Sequence, residues 1–147
     1  MTTYTIVDLD GTLFDDSARS VYAERGMFDT YHSRFPYDRL NQELATELRA
    51  MQHKRRIIIL SGRPIEYKAA TADFLEQHGV PYHHLYLKPP AHLTVPSEAW
   101  KEAVIKELGL IDNFNSGRIS IHAYDNEPAI IDMYQRHGIP ATLVNLK

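Results

Sequence analysis

The sequence predicts an α/β fold: a central parallel sheet of about five strands with helices on both faces, a three-layer sandwich. Three observations predict it. Short apolar runs alternate with helical segments along the whole chain. The helical segments close on Gly and Pro stop signals. Polar clusters follow three of the apolar runs, where strands of an open α/β sheet end and where ligands of such sheets bind.

Tyr4–Leu9 alternates and then runs apolar into Asp-Gly, a strand ending in a loop. Leu40, Leu44, Leu48 and Met51 recur at helical spacing and predict an amphipathic helix over Asp38–Met51. Arg56–Leu60 is apolar on every side, as a buried central strand would be, and stops at Ser61-Gly62. A helix follows over Ile65–His78, closed by Gly79 and Pro81. His84–Leu87 reads as a strand, Pro96–Leu108 as a helix ending near Gly109, and Arg118–Tyr124 as another strand. Glu127–His137 is a helix stopped by Gly138 and Pro140, and Ala141–Asn145 is the last strand.

With 147 residues, 44% of them hydrophobic and 24% charged, the chain is expected to form one domain over 1–147 with a substantial core. No run approaches the roughly 20 apolar residues of a membrane span. Met1-Thr2-Thr3-Tyr4 has neither the basic patch nor the apolar stretch of a signal peptide, so a cytoplasmic location without membrane association is expected. The absence of cysteine excludes disulfides, thiolate catalysis and cysteine-held zinc. A net charge of −3 argues against a basic coat for nucleic acid, although sixteen Lys and Arg are available to cluster locally.

The chemistry-bearing residues fall at predicted strand ends. Asp8-Leu9-Asp10-Gly11-Thr12-Leu13 puts two carboxylates on one side of a strand tip, an arrangement suited to a metal or to divided roles as nucleophile and proton carrier. Gly11 allows a sharp turn whose N–H groups are expected to face phosphate oxygens. Ser61-Gly62-Arg63 follows the second strand, where Ser61 suits either a phosphoryl contact or a helix cap ahead of Pro64. Lys88 and Lys101 are the candidate cations to balance the site. Asp125 and Asn126 end the strand Arg118–Tyr124, and a carboxylate there suits a hard divalent cation.

The first motif, Asp8-Leu9-Asp10-Gly11-Thr12-Leu13, resembles that of the haloacid dehalogenase-like phosphatase superfamily, and the later clusters follow in that superfamily's order nearly end to end. The resemblance implies a Rossmann-like sheet and a magnesium-dependent phosphomonoester hydrolase. Asp8 would attack phosphorus to give an aspartyl-phosphate, and Asp10 would protonate the leaving alcohol and then activate water. Ser61 would bind the phosphoryl group with Thr12 and Gly62 beside it, and Lys101 would be the motif lysine. Magnesium would lie between the Asp8 carboxylate, the Asp10 carbonyl and Asp125. Many relatives carry two adjacent acids where this chain has Asp125-Asn126, which leaves the metal site less negative.

Ser61-Gly62-Arg63-Pro64-Ile65-Glu66-Tyr67 with Thr71, and Leu85-Tyr86-Leu87-Lys88-Pro89, are further similar to the phosphatase domain of polynucleotide kinase 3′-phosphatases. That resemblance implies that Arg63, Thr71 and Lys88 line the mouth of the site and that nucleic-acid 3′ ends are the substrate. There is no room for a large cap domain, and residues 14–37 are expected to form at most a flap. Tyr22, Arg25, Phe28, Tyr31, His32, Arg34, Phe35 and Tyr37 interleave aromatic and basic residues there. They suit a single-strand stacking platform or, more commonly for aromatics, a flap or small helical pair packed on the core. No Gly-Lys-Ser/Thr phosphate loop is present, so kinase chemistry would come from a separate partner. The rival readings are a phosphatase of mononucleotides or small sugar phosphates, and a non-catalytic phosphate-binding module.

Overall fold

A computed structural model describes residues 1–146. Its strands are β1 (Thr2–Val7), β2 (Phe14–Asp15), β3 (Arg39–Leu40), β4 (Arg56–Pro64), β5 (His84–Lys88), β6 (Ile119–Asp125) and β7 (Ala141–Leu143). Its α-helices are α1 (Ser20–Glu24), α2 (Phe28–Ser33), α3 (Gln42–Met51), α4 (Lys68–Gln77), α5 (Ser97–Glu107), α6 (Leu110–Asn115) and α7 (Pro128–Arg136). The five-stranded sheet has the order β5-β4-β1-β6-β7, and all its pairings are parallel. β1 is therefore central, and its carboxyl end lies between those of β4 and β6.

The all-apolar character of β4 follows from burial on both faces. Successive residues point to opposite sides of a strand, so Ile57 and Ile59 join Val7, Leu48, Phe74 and Leu75 in one core, under α3 and α4. Ile58 and Leu60 join Ile6, Trp100, Ile121, Ile130 and Tyr134 in the other, under α5 and α7. The two cores fix β1 and β4 from both sides, so their tips are rigid.

Three segments differ from the sequence expectations. The helix expected from Asp38 begins only at Gln42, because Asn41 caps it by accepting from the Leu44 N–H at 3.2 Å, while Arg39 and Leu40 pair antiparallel with β2. Strand β4 runs through Ser61-Gly62-Arg63 to Pro64, and a short 3-10 turn precedes α4, so Ser61 is not a helix cap. The short helix α6 has no counterpart in the sequence expectations, whereas α1 and α2 form a small helical pair in the segment expected to be a flap or such a pair.

The β2–β3 pair closes the base of an excursion, residues 16–38, that carries α1 and α2; it is called the arm below. Neither arm helix contains a buried residue. No large cap is present among the described residues, and none of their helices is long and apolar enough to cross a membrane.

Candidate active site

Asp8 stands at the tip of β1, its N–H bonded to the Tyr124 carbonyl of β6 at 3.1 Å. Gly11 turns the chain at φ +77°, and a Cβ there would lie 2.4 Å from the Asn126 amide, so the close approach of the turn to Asn126 requires glycine. Within the turn, two of its N–H groups are already engaged. Gly11 N–H donates to the Phe14 carbonyl and Thr12 N–H to that of Leu9, at 2.8 and 3.1 Å.

Two charged clusters meet here. In the first, Lys101 Nζ, from α5, donates to Asp8 Oδ1 at 3.0 Å and to Asp125 Oδ2 at 2.7 Å. Trp100 beside it is buried in the core under α5, so the lysine is aimed by packing. Burial, then the charge of Asp125, pushes the Asp8 carboxyl up to about 8 against the pull of Lys101. Burial opposes the charge on Lys101, but Asp8 and Asp125 outweigh it and raise its pKa. A buried lysine between two carboxylates stays charged.

In the second cluster, Asp10 Oδ1 accepts from Arg19 Nη2 at 2.5 Å and Arg63 Nη2 at 2.6 Å. Burial alone would raise Asp10, yet Arg63 and Arg19 overcome it and hold the carboxyl at about 2. Arg63 is itself braced by Thr71 Oγ1 at 2.9 Å and by the Phe35 ring, 4.1 Å from its guanidinium carbon. Arg19, 2% exposed, also holds Asp38 with two hydrogen bonds of 2.9 and 2.7 Å and reaches the Tyr31 carbonyl. Sequence reasoning missed Arg19, since a single arginine in a polar stretch carries no local signal of burial.

Beside Asp8, three acceptors converge. The Asn126 side-chain oxygen lies 3.1 Å from Asp8 Oδ2 and 3.2 Å from the Asp10 carbonyl oxygen. A half-turn of the amide converts these into two donated hydrogen bonds. With the oxygen inward, the spacing is close to the roughly 2.9 Å between neighbouring ligands of an octahedral magnesium with 2.0–2.1 Å bonds. The donor set therefore fits a hard divalent cation. Asp125 does not share in it: its Oδ2 faces Lys101 and its Oδ1 accepts from the Glu127 N–H at 3.1 Å.

These groups open into a cavity of about 490 Å³, with Asp8, Asp10, Ser61, Gly62, Arg63, Lys88, Lys101 and Asn126 on its wall. Thr12 and Thr71, expected to touch substrate, are not on that wall. Thr12 is buried and donates to Asp8 Oδ2 at 3.2 Å, and Thr71 stands behind Arg63. Lys88 faces the cavity, but its ammonium donates to the Val95 carbonyl and so holds the loop ahead of α5. Ser61 Oγ accepts from the Arg63 N–H at 3.1 Å, which leaves its proton available. In the arm, Phe35 is in the core and Tyr31 lies under Arg19, whereas Phe28 and Tyr37 are exposed. The packing expectation for the arm aromatics is thus met at Phe35.

A parallel sheet with paired aspartates at its central tip, a motif lysine on the following helix and no large cap defines a haloacid dehalogenase-like phosphatase. A sequence profile of the polynucleotide kinase PNKP phosphatase domain matches residues 2–146, and the chain belongs to that family. A chain of the Pnkp1/Rnl/Hen1 complex is similar over 99% of this chain at 26% identity and a TM-score of 0.79. Another, of the Pnkp1/Rnl/Hen1 RNA repair complex, is 24% identical with the same TM-score. This chain spans 46% and 43% of their lengths, less than half of each. A haloacid dehalogenase family enzyme of Bacteroides thetaiotaomicron, in complex with magnesium and inorganic phosphate, shares the fold over 97% of this chain and 94% of its own. Its identity is 11% and its TM-score 0.57. No curated protein matches the chain.

Proposed function

We propose that the protein is a magnesium-dependent phosphatase that removes the phosphate from 3′ ends of nucleic acid through an aspartyl-phosphate on Asp8. The observation that carries this reading is Lys101 held between Asp8 and Asp125, with three oxygen acceptors converging beside it. Membership of the polynucleotide kinase PNKP phosphatase family supports the substrate class.

Asp8 Oδ2, the Asp10 carbonyl and the Asn126 side-chain oxygen would hold the magnesium, while Asp125 positions Lys101. Bound there, magnesium would neutralise the phosphoryl oxygens and favour the ionised form of Asp8. Lys101 orients Asp8 Oδ1 and offers positive charge to the group being transferred. Ser61 donates its hydroxyl proton to a phosphoryl oxygen.

Asp10 is locked in the ionised form by Arg63 and Arg19, the wrong state for protonating a leaving alcohol. An incoming phosphoryl group competes for Arg63, because a dianion is the stronger partner. With one guanidinium withdrawn, the burial that pushes Asp10 upward is less opposed, and its carboxyl becomes able to carry a proton to the leaving oxygen and later to take one from water. The arm acts as a minimal cap within a single domain. Kinase chemistry would come from sequence outside these residues or from a partner protein.

The reading is tested by phosphate release, with and without magnesium, from a 3′-phosphorylated oligonucleotide, the same oligonucleotide 5′-phosphorylated, and a sugar phosphate. Release from the 3′ end alone, and only with magnesium, is the expected result. Equal turnover of all three would replace it with a general small-molecule phosphatase.

A further inference from the structure

The wall of the cavity holds more than the reacting groups. Asp16, Asp29, Glu66 and Glu127 also line it. Asp29 and Glu66 are exposed, and the charges of both bear on Tyr67, which burial and then these two carboxylates raise. The Lys and Arg side chains on the wall are already engaged: Arg63 by Asp10 and Thr71, Lys88 by the Val95 carbonyl, Lys101 by Asp8 and Asp125. Once the phosphoryl group and a divalent cation are bound, the site cations are used, and the wall offers no further Lys or Arg to the exposed Asp29 and Glu66.

Other clustered positive charge lies away from the cavity wall. His53, Lys54, Arg55 and Arg56 are exposed with His83 and His84 where β4 and β5 begin, at the far end of the sheet. Five strand steps separate Arg56 from Ser61, about 17 Å, twice the Debye length of about 8 Å at physiological salt. Arg25 and Arg34 of the arm are not on the cavity wall, and Arg34 lies over the Tyr22 ring at 4.8 Å. The mouth also carries exposed apolar surface, Phe28 at 58% and Leu93 at 47%, suited to the flat face of one base. The cavity, about 490 Å³, has the volume of a small-ligand site.

We infer that the cavity takes one terminal nucleoside 3′-phosphate and that Asp29 and Glu66 repel the phosphates that follow it, so that short ends are preferred to long single strands. The inference rests on the 3′-phosphatase reading and narrows it. Enzymes that track a polymer by its backbone lose affinity as salt rises, because binding releases counterions. This one gains, because salt screens repulsion at the rim.

The test measures kcat/KM on a 3′-phosphorylated dinucleotide and on a 3′-phosphorylated strand of about ten nucleotides, across potassium chloride from about 20 to about 300 mM at fixed magnesium. The wild type and the Asp29→Asn/Glu66→Gln double variant are compared, with p-nitrophenyl phosphate as a control. The inference expects the longer strand to be the poorer substrate at low salt and to recover as salt rises. The double variant should narrow the gap at low salt by about fivefold, the scale of two unit charges acting at 7–10 Å through water. A longer strand that is preferred and weakens with salt, or a gap the double variant leaves unchanged, overturns it. Turnover of p-nitrophenyl phosphate with none of either 3′-phosphorylated substrate would instead remove the 3′-phosphatase reading itself, and the inference with it.

Discussion

The strand tips and the arm over them meet at Asp10 but are held by different forces. Asp8, Ser61 and Asp125 lie at the carboxyl-end parts of strands whose apolar residues are shared between two cores, so hydrophobic burial fixes where they stand. The arm helices bury no residue, and apart from Phe35 the arm is tied down by polar contacts. Arg19 binds Asp38, the Tyr31 carbonyl and Asp10, and the Tyr31 hydroxyl donates to Asp16 at 2.6 Å. The difference teaches that the strand-tip carboxylates are positioned by the core, whereas the roof above them depends on Phe35 and a few charged bonds that a substrate or a single substitution disturbs.

The largest effect that separates the two regions comes from Arg19→Ala. It leaves Asp38 buried without its partner and is expected to cost about 3–5 kcal/mol. Because the arm depends on it and the sheet does not, protection from hydrogen exchange should fall over residues 16–38 while β1 and β4 keep theirs. A uniform loss over both would mean that the arm is part of the core rather than a tethered roof.

A second test uses pH. Burial lowers His32 of α2 from 6.5 to about 4, with Arg63 and Arg19 lowering it further and Asp10 opposing. The folded chain therefore excludes a proton that the unfolded chain binds. Stability is undiminished by this group above pH 6.5 and falls as pH drops from there towards 4. His32→Phe should flatten that fall by about 2–3 kcal/mol, measured by denaturant unfolding from pH 7 to pH 4. An unchanged slope would show that the imidazole is not held neutral in the arm.

The smallest effect belongs to the strand tips. Asn126→Asp restores a negative charge beside Asp8 and should tighten magnesium by about tenfold, the scale of one added charge near a partly solvated cation. Calorimetric titration reads this without turnover. Asp125→Asn should weaken magnesium less than Asn126→Ala does, since Asp125 faces Lys101; the opposite order would return the ligand role to Asp125.

The same contrast decides what was legible in the sequence. The sheet could be read because apolar runs, Gly-Pro stops and strand-end polar clusters are local signals, and they located Asp8, Asp10 and Ser61 on the cavity wall, whereas Lys101 was singled out only by the family resemblance. The arm could not be read in the same way. Its helices are five and six residues long, and the contacts that hold Arg19 lie 9 to 19 residues away along the chain. That Asp125 faces Lys101 was also hidden, because it depends on where α5 carries the lysine. Thr12 and Thr71 belong to recognisable motifs, but only packing reveals that they brace Asp8 and Arg63 from behind.

The account rests above all on Asp8 as the group that takes the phosphoryl. The most direct test is a rapid acid quench of wild type and Asp8→Asn during turnover of a substrate carrying a radiolabelled 3′-phosphate, followed by peptide mapping. The account predicts label retained on the peptide containing Asp8 in the wild type and none in a folded Asp8→Asn protein that also releases no phosphate. Label on another residue, or undiminished phosphate release by Asp8→Asn, would contradict it.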